Sequence, residues 1–240
     1  MTQMSRRLMV GAVGAGVLIG AVTWAAAEEK RMTEAEKAEL RTALHVDAKA
    51  EKPMLQVQIP PVQKCNPDLK KDDFPIPDPA CTPGAINPTL TLAVLKDSRF
   101  KTEIVRDGAT KESRSGSEEH SKELFKTDTY GWYDVAKPAG NEGENQTCEL
   151  DHLISLELGG ADTLDNIWPQ CGPRGQADLD KRFFKEKDLV EDYLAALVRN
   201  GKMDLEEAQK GIASDWTQYL DKARSSCPKR DCTKASGSAE

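Results

Sequence analysis

The chain has 240 residues, a formal charge of −7, and 38% apolar against 30% charged side chains. That length allows one domain with extensions or two small ones. No apolar run after residue 27 approaches the roughly 20 residues that cross a bilayer, which excludes a multi-span membrane protein. No period recurs, which excludes a repeat architecture. The acidic balance argues against a protein that coats nucleic acid through bulk charge.

Taken in chain order, the first segment reads as an address. Arg6 and Arg7 precede an apolar stretch from Leu8 to Trp24, and Ala25-Ala26-Ala27 then meets Glu28-Glu29-Lys30. A charged start, an apolar middle and a run of small residues make a secretory signal peptide over 1–27, with cleavage after Ala27. The same segment is also long enough to remain as a single membrane anchor over residues 8–27. Ser5-Arg6-Arg7 resembles a twin-arginine signal as well. Each of these readings exports residues 28–240 to the periplasm or the exterior. With cleavage, no stable membrane association is expected. Two of the 33 basic residues and none of the 40 acids precede residue 28, so the exported part carries −9.

Export changes how the six cysteines read. Cys65, Cys81, Cys148, Cys171, Cys227 and Cys232 are an even number in an oxidising compartment, where disulfides are the default. Their spacing does not make the short paired arrangement of a structural zinc site. Fifteen pairings are possible, and pairing of nearest neighbours is the preferred one.

Residues 28–50 are rich in Glu, Lys and Ala, and fit a solvated helix or a flexible leader. Residues 51–90 hold nine prolines, which fix φ and remove donors, so this stretch is expected to be extended loop. A boundary near residue 80 follows, giving a leader and linker over 28–80 and a domain over 81–222. Between Thr91 and Trp132 short apolar groups lie among charges whose signs nearly cancel, so no basic groove is evident. His45 and His120 read as exposed side chains without second ligands nearby.

The C-terminal part is helical. Leu189, Tyr193, Leu194, Leu197 and Val198 recur at three-to-four spacing, and Asn200-Gly201 supplies a stop. Asp204 with Glu207 starts a second helix in the manner of a capping box. Two antiparallel helices joined by a tight turn are expected, followed by a polar, disordered tail over 223–240 that a Cys227–Cys232 loop would interrupt.

Residues 148–171 read CELDHLISLELGGADTLDNIWPQC. Partial alternation up to Leu158, the Gly159-Gly160 pair and the resumption at Asn166-Ile167-Trp168 predict a β-hairpin. A midpoint between the two glycines places Cys148 opposite Cys171, Asp151 opposite Trp168 and His152 opposite Ile167. A Cys148–Cys171 bridge across the hairpin base follows from that register.

The run D-H-L-I-x-L-E-L-G-G followed by N-I-W-P resembles the HNH nuclease family, in its secreted Asp-His branch. TPGAINP (82–88), the segment around Arg106, Tyr130-Gly131, KDLVEDYL (187–194) and AQKGIASDW (208–216) are similar to flanking blocks of that branch. The resemblance covers roughly residues 82–220. It implies an α+β fold built on a ββα-metal unit, a hairpin and helix clasping one divalent ion: Mg, with Mn, Ni or Zn as alternatives. It also implies an exported endonuclease acting on DNA in preference to RNA. Under it Asp151 is a metal ligand, His152 the general base, and Asn166 the residue that braces the hairpin and orients the histidine.

The family's last ligand comes from the following helix, yet His152 is the final histidine of this chain. Asp188 is the expected substitute, with Glu191 one helical turn on and Asp178 and Asp180 as alternatives. Lys187, Asp188 and Glu191 fit equally well a solvated, salt-bridged helix face. Arg106 is the candidate contact to substrate phosphate through its fork of donors. The chemistry is consistent with the residue types. A neutral imidazole suits a base near neutral pH, and a carboxylate is a hard oxygen ligand for magnesium or manganese. The competing expectation is a catalytically inactive, disulfide-braced binding protein of the envelope or exterior, which the acidic charge and the absent histidine favour.

Overall fold

The computed structural model describes residues 32–54, 65–106, 133–135, 139–173, 175 and 178–232. The expected signal peptide, His120, Tyr130-Gly131 and the last eight residues lie outside them. The described residues form a mixed α+β structure with three small antiparallel sheets of two strands each. No helix among them is long and apolar enough to cross a membrane.

The expected leader begins with a helix, α1 (Glu34–Leu44). Thr33 and Glu36 form a reciprocal capping box at its start, which satisfies two otherwise orphaned donors. Leu44 and Val46 then join Leu90, Leu95, Phe100, Ile104 and Leu156 in a small apolar cluster. The leader is therefore packed, whereas His45 at the helix end is exposed, as its sequence context suggests.

The proline-rich stretch makes only two-residue strands: β1 (Lys52–Pro53), β2 (Lys70–Lys71), β3 (Phe74–Pro75) and β4 (Ala85–Ile86). Strands β2 and β3 pair with each other, and β1 pairs with β4. A short helix, α2 (Leu92–Leu95), follows. Residues on both sides of the expected boundary near 80 share one core. Cys65 and Cys81 are buried with Leu153, Trp168, Leu194 and Trp216.

The central hairpin pairs β5 (Cys148–His152) with β6 (Ile167–Cys171). Its register is the expected one: Cys148 opposite Cys171, Asp151 opposite Trp168, His152 opposite Ile167. The strands are shorter than expected, because β5 ends at His152. Residues 153–166 form a folded connection with 3₁₀ turns at Leu156–Leu158 and Leu164–Asn166. The two glycines serve that connection. Gly159 adopts φ +78°, a conformation that suits glycine. Gly160 lies so close to the Ile154 carbonyl that a Cβ would stand 1.9 Å from its oxygen.

Three helices close the fold: α3 (Phe183–Arg199), α4 (Leu205–Asp215) and α5 (Leu220–Ser226). Gly201 ends the first at φ +69°, and Asp204 caps the second by accepting from the Glu206 amide. The expected helical hairpin is present, and a 3₁₀ turn over Trp216–Tyr219 leads into α5. Helix α3 packs on both strands of the hairpin and on α5. Phe184, Val190, Leu194 and Val198 form its buried stripe.

All three disulfides join nearest neighbours: Cys65–Cys81, Cys148–Cys171 and Cys227–Cys232. Such pairing fits a protein that matures in an oxidising compartment. The last bridge closes a loop after α5, so the chain expected to be a disordered tail from residue 223 is ordered as far as Cys232.

Candidate functional site

Asn166 organises the site from beneath. It is fully buried. Its Oδ1 accepts from the Ile154 amide at 2.9 Å and the Ala85 amide at 3.4 Å. Its Nδ2 donates to the carbonyls of Ile154 and Ala161, both at 2.9 Å. One side chain thus ties both ends of the connection to β4. The TPGAINP segment adds backbone stitches: Gly84 N to Asp165 O, Ala161 N to Ala85 O, and Asn87 N to Gly159 O. Asn166 is a brace, as expected, but it holds backbone rather than the imidazole.

The imidazole is held by Asp162, which sequence reasoning passed over. His152 Nε2 lies 2.9 Å from Asp162 Oδ1, and both side chains are buried. The only signal for Asp162 is an acid in the glycine-led connection after the histidine. A carboxylate acceptor places the ring proton on Nε2 and leaves the lone pair on Nδ1. Burial holds the His152 pKa below its ordinary value, against the hydrogen bond and charge of Asp162; Arg106 pushes it down and Asp151 up. Burial therefore favours the neutral ring.

Asp151 and His152 are neighbours with different partners. Asp151 faces α3, where Lys187 Nζ lies 2.8 Å from its Oδ2. Lys187 is fully buried, and its ammonium also contacts Glu191 Oε1 and donates to the His152 carbonyl at 2.6 Å. Burial pushes the Lys187 pKa down, but Asp151 and Glu191 more than reverse this, so the ammonium stays charged. Burial pushes Glu191 well up, with Asp151 and Asp188 acting in the same direction and Lys187 opposing. The expected solvated face at Lys187 is thus a buried ion cluster. Lys187 continues the buried stripe of Phe184, Val190 and Leu194, and that spacing is the sequence signal for it.

These groups border a polar cavity of about 240 Å³. Arg106, Asp151, His152, Asp188 and its alternative Glu191, five of the eight residues singled out by sequence, line it. Asn166 lies behind the wall. Asp188 accepts from Lys185 at 2.8 Å and from Arg230 Nη1 at 3.2 Å. Asp178 and Asp180 are exposed at a 3₁₀ turn and do not line the cavity. Ser155 and Arg230 are among the lining residues that went unnoticed in the sequence. Ser155 is buried, and its hydroxyl has no hydrogen-bond partner among the described residues. Arg230 reaches the rim from the Cys227–Cys232 loop, with Nε 2.6 Å from Asp192 Oδ2.

The residues present do not fit the expected divalent ion. The carboxylate assigned to it, Asp151, is already paired with an ammonium, although its Oδ2 accepts no hydrogen bond among the described residues. Among the described residues no three His, Cys, Asp or Glu side chains are grouped to hold a metal. Compared with protein-family models, curated proteins and solved structures, the chain matches none.

Two expected outcomes follow from this geometry. Asn166→Ala removes four hydrogen bonds to buried backbone and should cost about 2–3 kcal/mol in urea unfolding. The second outcome is pH-dependent. The unfolded His152 titrates near pH 6.5 and the folded one lower. Between the two values the unfolded chain binds more protons, so stability should fall as the pH drops below about 6.5. Denaturant unfolding from pH 7 to 5 should show that slope, reduced in His152→Asn.

Proposed function

We propose that the protein is an exported phosphodiesterase that cleaves nucleic acid, DNA in preference to RNA, with β5, β6 and α3 serving as the ββα unit of an HNH-like endonuclease. The observation that supports this reading is the carboxylate-held His152 on the wall of a polar cavity shared with Arg106. A histidine fixed by an acid at one nitrogen is arranged to take a proton at the other.

In the proposed reaction a water oxygen bonds to phosphorus and its proton passes to His152 Nδ1. The bond from phosphorus to the leaving sugar oxygen breaks, and that oxygen takes a proton from solvent. The products are a phosphate monoester and an alcohol. Arg106 offers forked donors to the non-bridging oxygens, and the Ser155 hydroxyl offers one more. Asp162 keeps the imidazole in its basic tautomer. No step is assigned to a metal ion.

A second reading has its own support. Glu149, Asp151, Glu157, Asp188, Glu191 and Asp192 line the cavity against Arg106 and Arg230, and an excess of acids disfavours a polyanion. That surface suits a catalytically inactive binding protein. End-labelled DNA and RNA oligonucleotides, single-stranded and duplex, separate the two readings. They are incubated with the oxidised exported chain in EDTA, magnesium or manganese. Cleavage of any of them supports the phosphodiesterase, and cleavage of RNA alone corrects its substrate. No cleavage under any of these conditions overturns it in favour of the binding protein.

A further inference from the structure

We infer that the Lys187 ammonium is a built-in cation that takes the place of a divalent ion at Asp151, so that the wild-type site binds no metal there. Three oxygens surround it: Asp151 Oδ2 at 2.8 Å, Glu191 Oε1, and the His152 carbonyl at 2.6 Å. They come from β5 and from α3, the two elements that a metal ion would otherwise join. An ammonium has three donors and no acceptor; here it donates to Glu191 and to the His152 carbonyl and forms an ion pair with Asp151. Two carboxylates and a carbonyl are also hard oxygen donors of the kind that hold calcium or magnesium. The cage is therefore of the right chemistry for a cation, and the chain fills it with one of its own.

Charge forbids sharing. A divalent ion bound to Asp151 would sit within a few ångströms of a buried ammonium, and like charges at that range in a buried site repel strongly. Lys187 is fully buried, with Phe184 and Val190 buried on the same stripe of α3, so its ammonium sits away from solvent. Asp151 is thereby a structural partner of Lys187, and its carboxylate joins the hairpin to the helix permanently. The inference concerns ion binding and stands whether or not the cavity cleaves phosphodiesters.

Removing the ammonium should uncover the cage. The Asp151 and His152 oxygens lie 2.8 and 2.6 Å from Nζ, nearer to calcium's ligand distance of about 2.3–2.6 Å than to magnesium's of about 2.0–2.1 Å. The experiment is calcium and manganese titration of the full oxidised chain, by calorimetry and by thermal unfolding, for wild type and Lys187→Ala. Wild type should bind neither ion and should melt at the same temperature in EDTA and in millimolar ion. Lys187→Ala should melt lower in EDTA and regain roughly 5 °C or more in calcium near 100 times its Kd. A wild-type chain that binds one ion with a Kd below about 1 mM, in a manner lost in Asp151→Ala, overturns the inference. If Lys187→Ala folds only when calcium is present, that outcome supports the inference. If the variant folds under neither condition, the wild-type titration decides alone.

Discussion

Replacing His152 with alanine is expected to lower phosphodiester cleavage by about 10²–10⁴-fold, the usual loss for a general base. The imidazole carries the only neutral nitrogen base found on the cavity wall among the described residues, and Asp162 sets its tautomer. Truncation leaves Asp162 buried without its partner, so some stability is lost as well. Asp162→Asn provides the control. The amide keeps the volume but presents either a donor or an acceptor to Nε2, which weakens the tautomer preference. It should slow cleavage by a smaller factor and shift the pH at which the rate rises. Initial rates on a labelled oligonucleotide, read between pH 5 and 8, check both variants. Equal losses with no change in pH profile would indicate a structural role for the pair.

Replacing Lys187 with methionine is expected to destabilise the fold by about 3–5 kcal/mol, because it removes one partner of a buried ion cluster and strands the others. Methionine keeps most of the volume, so the loss would come mainly from charge. Asp151 and Glu191 would face each other across α3 and β5 without a cation. Neutralising them in the triple variant Asp151→Asn, Lys187→Met, Glu191→Gln should recover most of the loss. Buried ion clusters replaced as a unit are often neutral or even stabilising. Urea unfolding of the single and triple variants measures the difference. A single-variant cost below about 1 kcal/mol would contradict the cluster's role in joining hairpin to helix.

The hairpin register was legible because pairing is symmetric about a turn, so locating the glycines located Cys148 against Cys171 and His152 against Ile167. The bracing role of Asn166 was implied by the resemblance and not by the register. The strand ends were not. Gly159 and Gly160 look like a hairpin tip in sequence, whereas Gly160 is there for close approach to the Ile154 carbonyl and Gly159 for its left-handed backbone. The stripe of Phe184, Val190 and Leu194 marks position 187 as buried, but the partner of Lys187 was hidden because Asp151 lies 36 positions away. Charges spaced along a helix look alike whether they face water or another strand. Arg230 was missed because a disulfide loop near the end of the chain carries no periodicity, yet Cys227–Cys232 delivers it to the cavity rim.

Nicking of supercoiled plasmid by wild type and His152→Ala, purified in parallel and assayed in EDTA and in magnesium, tests the central claim most directly. Wild type should convert supercoiled DNA to open circles, and should still do so in EDTA because the proposed reaction assigns no step to a metal ion. His152→Ala should be slower by at least about 100-fold with its three disulfides and secondary structure intact. Equal rates for the two proteins, or intact plasmid with wild type in both buffers, would contradict it.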